Sequence, residues 1–339
     1  MTVRIAQVGL GYWGPNIARN VATVDGAELV TLCDTSRDRL ERMGRQLPTA
    51  RLTTEYADVL ADDSVDAVIL ATPVETHYSL AAAALEAGKH VLVEKPLATT
   101  SAECETVIEL AAKRDLRLMV GHVFLYNAAV RKVKEYIDAG DLGEIYYIYS
   151  QRLNLGQVRH DVNAMWNFAP HDLSILCYWL GTEPIGVQAH GYSYLQPGIE
   201  DVVFMNLDFP DGIGANVHIS WLDPLKVRRM TIVGSEKMVV YDDVSADAKV
   251  VVYDRGVTKR LRDQTEASLG SYRTYGEFQL LLRAGDVLIP KIEFTEPLKV
   301  ECEHFVDCIR DGSNPLTDGS HGLAVVRALE AAQRSMSAR

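Results

Sequence analysis

The sequence predicts an α/β chain: an N-terminal doubly wound domain over residues 1–122, then an α+β domain over 123–339 with a long, mostly antiparallel sheet and helices on one face. Three observations carry this expectation. The first third alternates short, nearly continuous apolar runs with segments of helical spacing, the pattern of a parallel sheet covered on both faces. Gly9-Leu10-Gly11-Tyr12-Trp13-Gly14 lies between the first run and the first helix. After Gly121 the pattern changes to strand-like runs, with Pro210-Asp211-Gly212 and Gly234-Ser235 spaced as hairpin turns. A length of 339 residues suits two domains of roughly 150 residues each.

The elements follow in order. Residues 3–8 form a short apolar strand, and 16–24 a helix with Pro15 in its first turn. A strand at 28–33 ends at Asp34, followed by helices at 40–46 and 55–60. The strand at 65–71 is apolar except for Asp66 and stops at Thr72-Pro73. An alanine-rich helix at 78–87 is closed by Gly88. Next come a strand at 90–94, a helix at 101–114 and a strand at 118–123. In the second domain a helix at 128–139 precedes strands at 145–152, 186–193, 202–209, 215–220, 229–233, 238–241 and 249–253. A helix over 170–180 interrupts them. Residues 254–300 read as polar and irregular, and 320–336 as a strong helix.

Composition bounds the function. Hydrophobic residues at 47% and charged residues at 24% are those of an ordinary globular protein, which argues against wholesale disorder. No run approaches the 18 or so apolar residues of a membrane span, and the N-terminus carries no basic region or Ala-x-Ala site. The expectation is a cytoplasmic protein without membrane partners. A net charge of −12 argues against nucleic acid, though a local phosphate site is still compatible with it. Cys33, Cys104, Cys177, Cys302 and Cys308 are scattered and read as reduced thiols filling cores. No metal is expected, and Glu301-Cys302-Glu303-His304 reads as helix surface.

The glycine run matches GxGxxG in the required setting, after a strand and before a helix. Gly9 permits the tight turn, Gly11 lets backbone approach a pyrophosphate, and Gly14 allows close helix–strand packing. The helix start adds free N–H groups and partial positive charge. Tyr12 and Trp13, inside the run, join the candidate cofactor contacts. Asp34 lies roughly 20–25 positions beyond the loop, near the spacing for a ribose-binding carboxylate, and favours NAD over the NADP alternative. Arg37 and Arg39 either grip a 2′-phosphate or are solvated charges at a helix start.

Glu94-Lys95-Pro96 closes the strand at 90–94. Ligands in doubly wound sheets bind outside the carboxyl ends of strands, so Lys95 is a candidate for acid–base chemistry. The competing reading is a surface salt bridge with Glu94. Taken together, the glycine run, Ala71-Thr72-Pro73, Glu94-Lys95-Pro96 and Pro315-Leu316-Thr317-Asp318-Gly319 make the chain resemble the Gfo/Idh/MocA family over nearly its whole length. That resemblance implies an N-terminal Rossmann domain, a C-terminal domain with a large, open-faced, mostly antiparallel sheet, and NAD(P)-dependent redox chemistry on a sugar, cyclitol or sugar-nucleotide hydroxyl. It also implies assembly as a homodimer or homotetramer through the C-terminal sheet. Lys95 matches the family's catalytic lysine, and the bond before Pro96 is often cis there.

The family's catalytic histidine falls, by the same resemblance, on His171 within Trp166-Asn167-Phe168-Ala169-Pro170-His171-Asp172. Asn167 stands where many members have aspartate. It cannot exchange a proton, so it is read as orienting substrate while Lys95 and His171 handle the proton. Thr72, Pro73, His77 and Glu94 complete the candidate cofactor contacts, with His77 beside the cofactor or capping its helix. Arg152, Asn154, Arg159, His160, Asp161 and Asn163 either line a sugar pocket, with arginine ready for a carboxylate or phosphate, or form a solvated loop. Tyr126 and Asn127 touch cofactor or substrate near the domain junction, and Trp166 joins the substrate set. The leading expectation is an NAD-dependent dehydrogenase of a ring hydroxyl, in the form resembling C3 oxidation of nucleotide-linked sugars. The alternatives are an NADPH-dependent ketoreductase of deoxysugar biosynthesis, an enzyme using NAD as transient oxidant, and a non-catalytic NAD-binding regulator.

Overall fold

The computed structural model describes residues 2–156, 158–257 and 282–337. Its first sheet is built from β1 (Val3–Val8), β2 (Ala27–Cys33), β3 (Arg51–Thr53), β4 (Ala67–Leu70), β5 (His90–Glu94) and β6 (Leu118–Gly121). Between them run α1 (Gly14–Val21), α2 (Arg37–Gly44), α3 (Tyr56–Leu60), α4 (His77–Glu86) and α5 (Ser101–Lys113). The order is β3-β2-β1-β4-β5-β6, and every neighbouring pair is parallel. All four residues of β4 and of β6 are buried, as helices on both faces require. Thr100 and Glu103 form a reciprocal capping box that starts α5. The strand order reverses between β1 and β4, which opens the ligand crevice of such sheets at the strands' carboxyl ends.

The second sheet has the order β14-β13-β12-β11-β7-β10-β9-β8. Its strands are β7 (Ile145–Leu153), β8 (Gly186–Tyr192), β9 (Val202–Asp208), β10 (Gly214–Ser220), β11 (Val227–Gly234), β12 (Met238–Asp242), β13 (Val250–Val257) and β14 (Leu282–Leu288). Among the described residues of this sheet, only β7 and β10 pair in parallel. Along β9, Val203, Met205 and Leu207 are buried while Phe204, Asn206 and Asp208 face outward, the alternation of a sheet covered on one face. The helices are α6 (Ala128–Asp138), α7 (Ala164–Leu180), α8 (Pro297–Asp311) and α9 (Gly319–Ser337). None of the described helices is long and apolar enough to cross a membrane.

Three sequence expectations change. Helix α7 begins at Ala164, six residues before the expected start, and holds Pro170 in its interior. Proline is commonest at a helix start, which biased the boundary; the true cap is Asn163, whose Oδ1 accepts from the Trp166 amide at 3.0 Å. The stretch 254–300 is less irregular than its polarity suggests, since β13 runs into it and β14 and the start of α8 lie within it. Residues 258–281 lie outside the described residues. Strand β6 ends at Gly121, before the expected end at Val123, which instead opens a 3-10 turn over Val123–Tyr126.

The chain forms two compact units. The first comprises residues 1–127, 173–177 and 294–330; the second comprises 128–172, 178–293 and 331–339. In the first unit α8 packs on α1, on β1 and on the turn after β6. The Pro315–Gly319 motif is tied to β6: the Val120 amide donates to the Thr317 carbonyl at 2.8 Å, and Thr317 Oγ1 donates to the Val120 carbonyl at 2.7 Å.

Candidate active site

The glycine loop separates protein packing from ligand demand. Gly9 has φ +89°, and a Cβ there would sit 2.4 Å from the Ala71 carbonyl oxygen. A Cβ on Gly14 would lie 2.1 Å from the Gly9 carbonyl oxygen, so both glycines are fixed by backbone approach. A Cβ on Gly11 would meet nothing within 4 Å. The protein itself makes no demand for glycine at that position, whereas a pyrophosphate drawn against the backbone does. This cradle fits a dinucleotide. Asp34, 5% exposed, accepts from the Leu10 amide at 2.6 Å and the Ser36 amide at 2.8 Å, which locks its carboxylate beside the loop. Arg39 lies 3.7 Å from that carboxylate, so its charge is drawn toward Asp34. Tyr12 is 93% exposed, and the Trp13 indole donates to the Glu94 carboxylate.

The strand ends beside the loop carry the rest. Lys95 and Glu94 are partly exposed, and the Lys95–Pro96 bond is cis. The Lys95 amide donates to Glu94 Oε2 at 3.2 Å. Desolvation raises the Glu94 carboxyl above its usual range, against the opposing pull of the Lys95 charge. Burial also raises Glu301 well above that range, and the Glu94 charge adds to the rise. His77 is buried, with Nδ1 2.7 Å from the Pro96 carbonyl oxygen and Nε2 3.0 Å from that of Thr72. Its ring therefore reaches two backbone carbonyls rather than capping α4. Thr72 Oγ1 accepts from Thr76 Oγ1 at 2.8 Å, and Pro73 immediately precedes the turn Val74–Thr76.

In the second unit, His171, Asn167 and Trp166 are half-buried on α7. The 167-to-171 spacing is one turn, so the two side chains share a helix face. Asp172, next to His171, accepts from Ser150 Oγ at 2.6 Å and from Arg152 Nε at 2.5 Å. Burial of the Arg152 guanidinium in this pair goes against both readings of it, as an arginine ready for a substrate carboxylate or phosphate and as part of a solvated loop. Asn163 is likewise engaged within the protein: beyond capping α7, its Nδ2 donates to Glu200 Oε2 at 2.7 Å and Gln333 Oε1 at 3.1 Å. The Trp166 indole donates to Gln333 Oε1 at 3.3 Å. Arg159, exposed, pairs with Asp161, and His160 bonds Gln196. Asn154 is half-buried, its amide donating to the Ser220 carbonyl at 3.1 Å.

Tyr126 is a further correction. It is 2% exposed, with its hydroxyl 3.1 Å from Thr317 Oγ1, so its phenol belongs to the core of the first unit. Asn127 is buried beside it in sequence. Glu301 and Cys302 are buried on α8, against the expected helix surface. Sequence reasoning also passed over His122, one residue beyond β6. It is 1% exposed, and among the described residues neither ring nitrogen has a hydrogen-bond partner. Burial holds its pKa well below the usual value, helped by His321 and Lys95. Its place directly after a strand's carboxyl end was the available signal.

Fold and site together define a dinucleotide-binding oxidoreductase. The oxidoreductase family with an NAD-binding Rossmann fold matches residues 3–122, and the Gfo/Idh/MocA C-terminal domain matches residues 130–240; the chain belongs to this Gfo/Idh/MocA family. It is 27% identical over 326 residues to the scyllo-inositol 2-dehydrogenase (NAD(+)) of Bacillus subtilis strain 168, spanning 93% of this chain and 88% of that protein. Inositol 2-dehydrogenase 2 of Saccharopolyspora erythraea is 30% identical over 226 residues, 65% of this chain and 67% of its own length. Among solved structures, UDP-N-acetylglucosamine 3-dehydrogenase from Acidithiobacillus ferrooxidans superposes with a TM-score of 0.82 at 23% identity, covering 100% of this chain and 99% of that one.

Proposed function

We propose that this enzyme transfers a hydride between NAD and the carbon of a secondary ring hydroxyl, with C3 of a nucleotide-linked hexose as the first substrate to test and a cyclitol as the second. The observation that carries the reading is Lys95 at the carboxyl end of β5, one strand from the β1–β4 reversal where the glycine loop sits. The cyclitol side draws on the name of the Bacillus relative. The C3 assignment draws on the form of the Trp166–Asp172 segment.

Bound NAD supplies the hydride acceptor, C4 of its nicotinamide. The chain's own residues do the rest. Free amides at the start of α1 and in the loop bind the pyrophosphate, and Asp34 accepts from the adenosine ribose while repelling a 2′-phosphate. His171 takes the hydroxyl proton as the carbon–hydrogen bond breaks. The Lys95 ammonium donates to the same oxygen and stabilises its developing negative charge. Asn167 orients the ring through its amide and holds no exchangeable charge.

The test is an assay of the holoenzyme with NAD against UDP-hexoses, free hexoses and inositols, following NADH, with the best substrate then deuterated at the candidate carbon. Deuterium in the reduced cofactor supports the reading. No reduction of NAD by any member of the panel overturns it.

A further inference from the structure

One buried imidazole links the segments that the proposed chemistry uses. His77 is 1% exposed at the start of α4. Its Nδ1 contacts the carbonyl of Pro96, the residue after Lys95, and its Nε2 contacts the carbonyl of Thr72. Thr72 follows β4 and Pro96 follows β5, which are adjacent strands. Thr72 Cγ2 also lies 3.0 Å from where a Cβ on Gly9 would stand, behind the Ala71 carbonyl that enforces glycine there. The lysine turn and the end of β4 are thus connected through a single ring, and Thr72 at that end stands beside the glycine loop.

We propose that His77 is a positioning residue for Lys95, acting through an Nδ1–H hydrogen bond to the Pro96 carbonyl. The proposal rests on the reading of Lys95 as the group that meets the substrate oxygen. A neutral imidazole carries one N–H, and a charged one carries two. The contact at 2.7 Å is the shorter of the two, and in the proposed arrangement Nδ1 bears the hydrogen in either state. Burial and the Lys95 charge favour the neutral ring, while both carbonyls and Glu75 favour the charged one. Without this bond the turn loses its tie to α4, and displacement of an acid–base group by about 1 Å is enough to lower turnover about a hundredfold.

The geometry of the ring dictates the variants. Asparagine at 77 puts an amide N–H near the Nδ1 position, whereas glutamine puts one near Nε2. His77→Ala and His77→Gln are expected to lose at least about tenfold in kcat, with far smaller changes in KM and in the Kd for NAD. His77→Asn is expected to recover most of that loss. A packing role alone predicts the reverse order, since glutamine is nearer to histidine in size. Equal kcat for the asparagine and glutamine variants, or a better glutamine variant, overturns the proposal. Nitrogen-15 spectra of histidine-labelled wild-type enzyme decide the contact without any substitution: a hydrogen on Nδ1 of His77 is expected, and a neutral ring protonated only at Nε2 overturns it. Lys95→Ala is measured alongside. An active Lys95→Ala enzyme overturns the reading of Lys95 and this proposal together. An inactive one beside a fully active His77→Gln enzyme overturns the His77 assignment alone.

Discussion

Arg152 holds Asp172, the residue after His171, through an Nε–Oδ2 contact of 2.5 Å, with side chains only 6% and 2% exposed. Ser150 donates to the other carboxylate oxygen. Residues 150 and 152 project from the same face of β7, so one strand face pins the helical turn that presents His171. Such a pair adds little over an apolar substitute, but deleting one partner leaves a buried charge and costs about 3–5 kcal/mol. Arg152→Met should lower the unfolding free energy by that order in urea titrations. The Arg152→Met/Asp172→Leu double variant should lose less than the single one. A double variant that loses the sum of both single losses would show that the two side chains do not interact.

Lys95→Ala and His171→Ala should each retain NAD binding, with the Kd within about threefold, yet lose about 10²–10⁴-fold in kcat, the usual worth of a positioned acid or base. Calorimetric titration gives the first quantity and steady-state NADH formation the second. Full turnover in both variants would remove these residues from the mechanism.

The parts legible in the sequence are those whose neighbours are close in sequence. Gly9 and Gly14 meet each other within one turn, and Asp34 ends the strand beside β1, so spacing alone located them. Arg152 was misread because its partner is twenty residues on, across a loop, and an arginine near a strand end looks like a ligand for phosphate until that partner is seen. Tyr126 was misread because the Thr317 hydroxyl that engages it arrives from the far end of the chain. Glu301 looked like surface because its charge is ordinarily hydrated, and nothing local shows that α8 returns to pack on β1 and α1. The overlooked His122 likewise meets a residue from the far end of the chain, its ring 5.3 Å from that of His321 on α9.

That histidine pair sets a pH dependence. Burial lowers the His321 pKa from 6.5 to about 4, and its Nε2 lies 3.1 Å from Ser174 Oγ. Above pH 6.5 the ring is neutral in folded and unfolded chains alike and contributes nothing to the slope. As pH falls from 6.5 toward 4 the unfolded chain takes up the proton first, so stability declines, by about 2 kcal/mol between pH 7 and pH 5 from this residue. His122, lowered further, acts in the same direction. His321→Gln should therefore flatten the decline in unfolding free energy over that window, measured at constant ionic strength. Parallel pH curves for the variant and the parent would mean that the folded protein carries a charged His321.

The glycine loop offers a separation of fold from cofactor binding that two alanine substitutions can read. At Gly14 a methyl group meets the Gly9 carbonyl oxygen at 2.1 Å and its carbon at 2.9 Å. Those are backbone atoms of a turn that is itself held against Ala71, so the strain is not relieved by a side-chain rotation. Gly14→Ala should cost about 1–3 kcal/mol, the usual range for overpacking, visible as a lower melting temperature without any ligand. At Gly11 the same methyl group meets no protein atom within 4 Å. Gly11→Ala should leave the ligand-free melting temperature nearly unchanged, within about 0.5 kcal/mol of stability. It should raise the Kd for NAD at least about tenfold, or about 1.4 kcal/mol, because the added methyl takes the space the pyrophosphate needs. NAD affinity unaltered in a stable Gly11→Ala protein would move the pyrophosphate away from this part of the loop. A destabilised Gly11→Ala protein would show instead that glycine is kept there for the backbone.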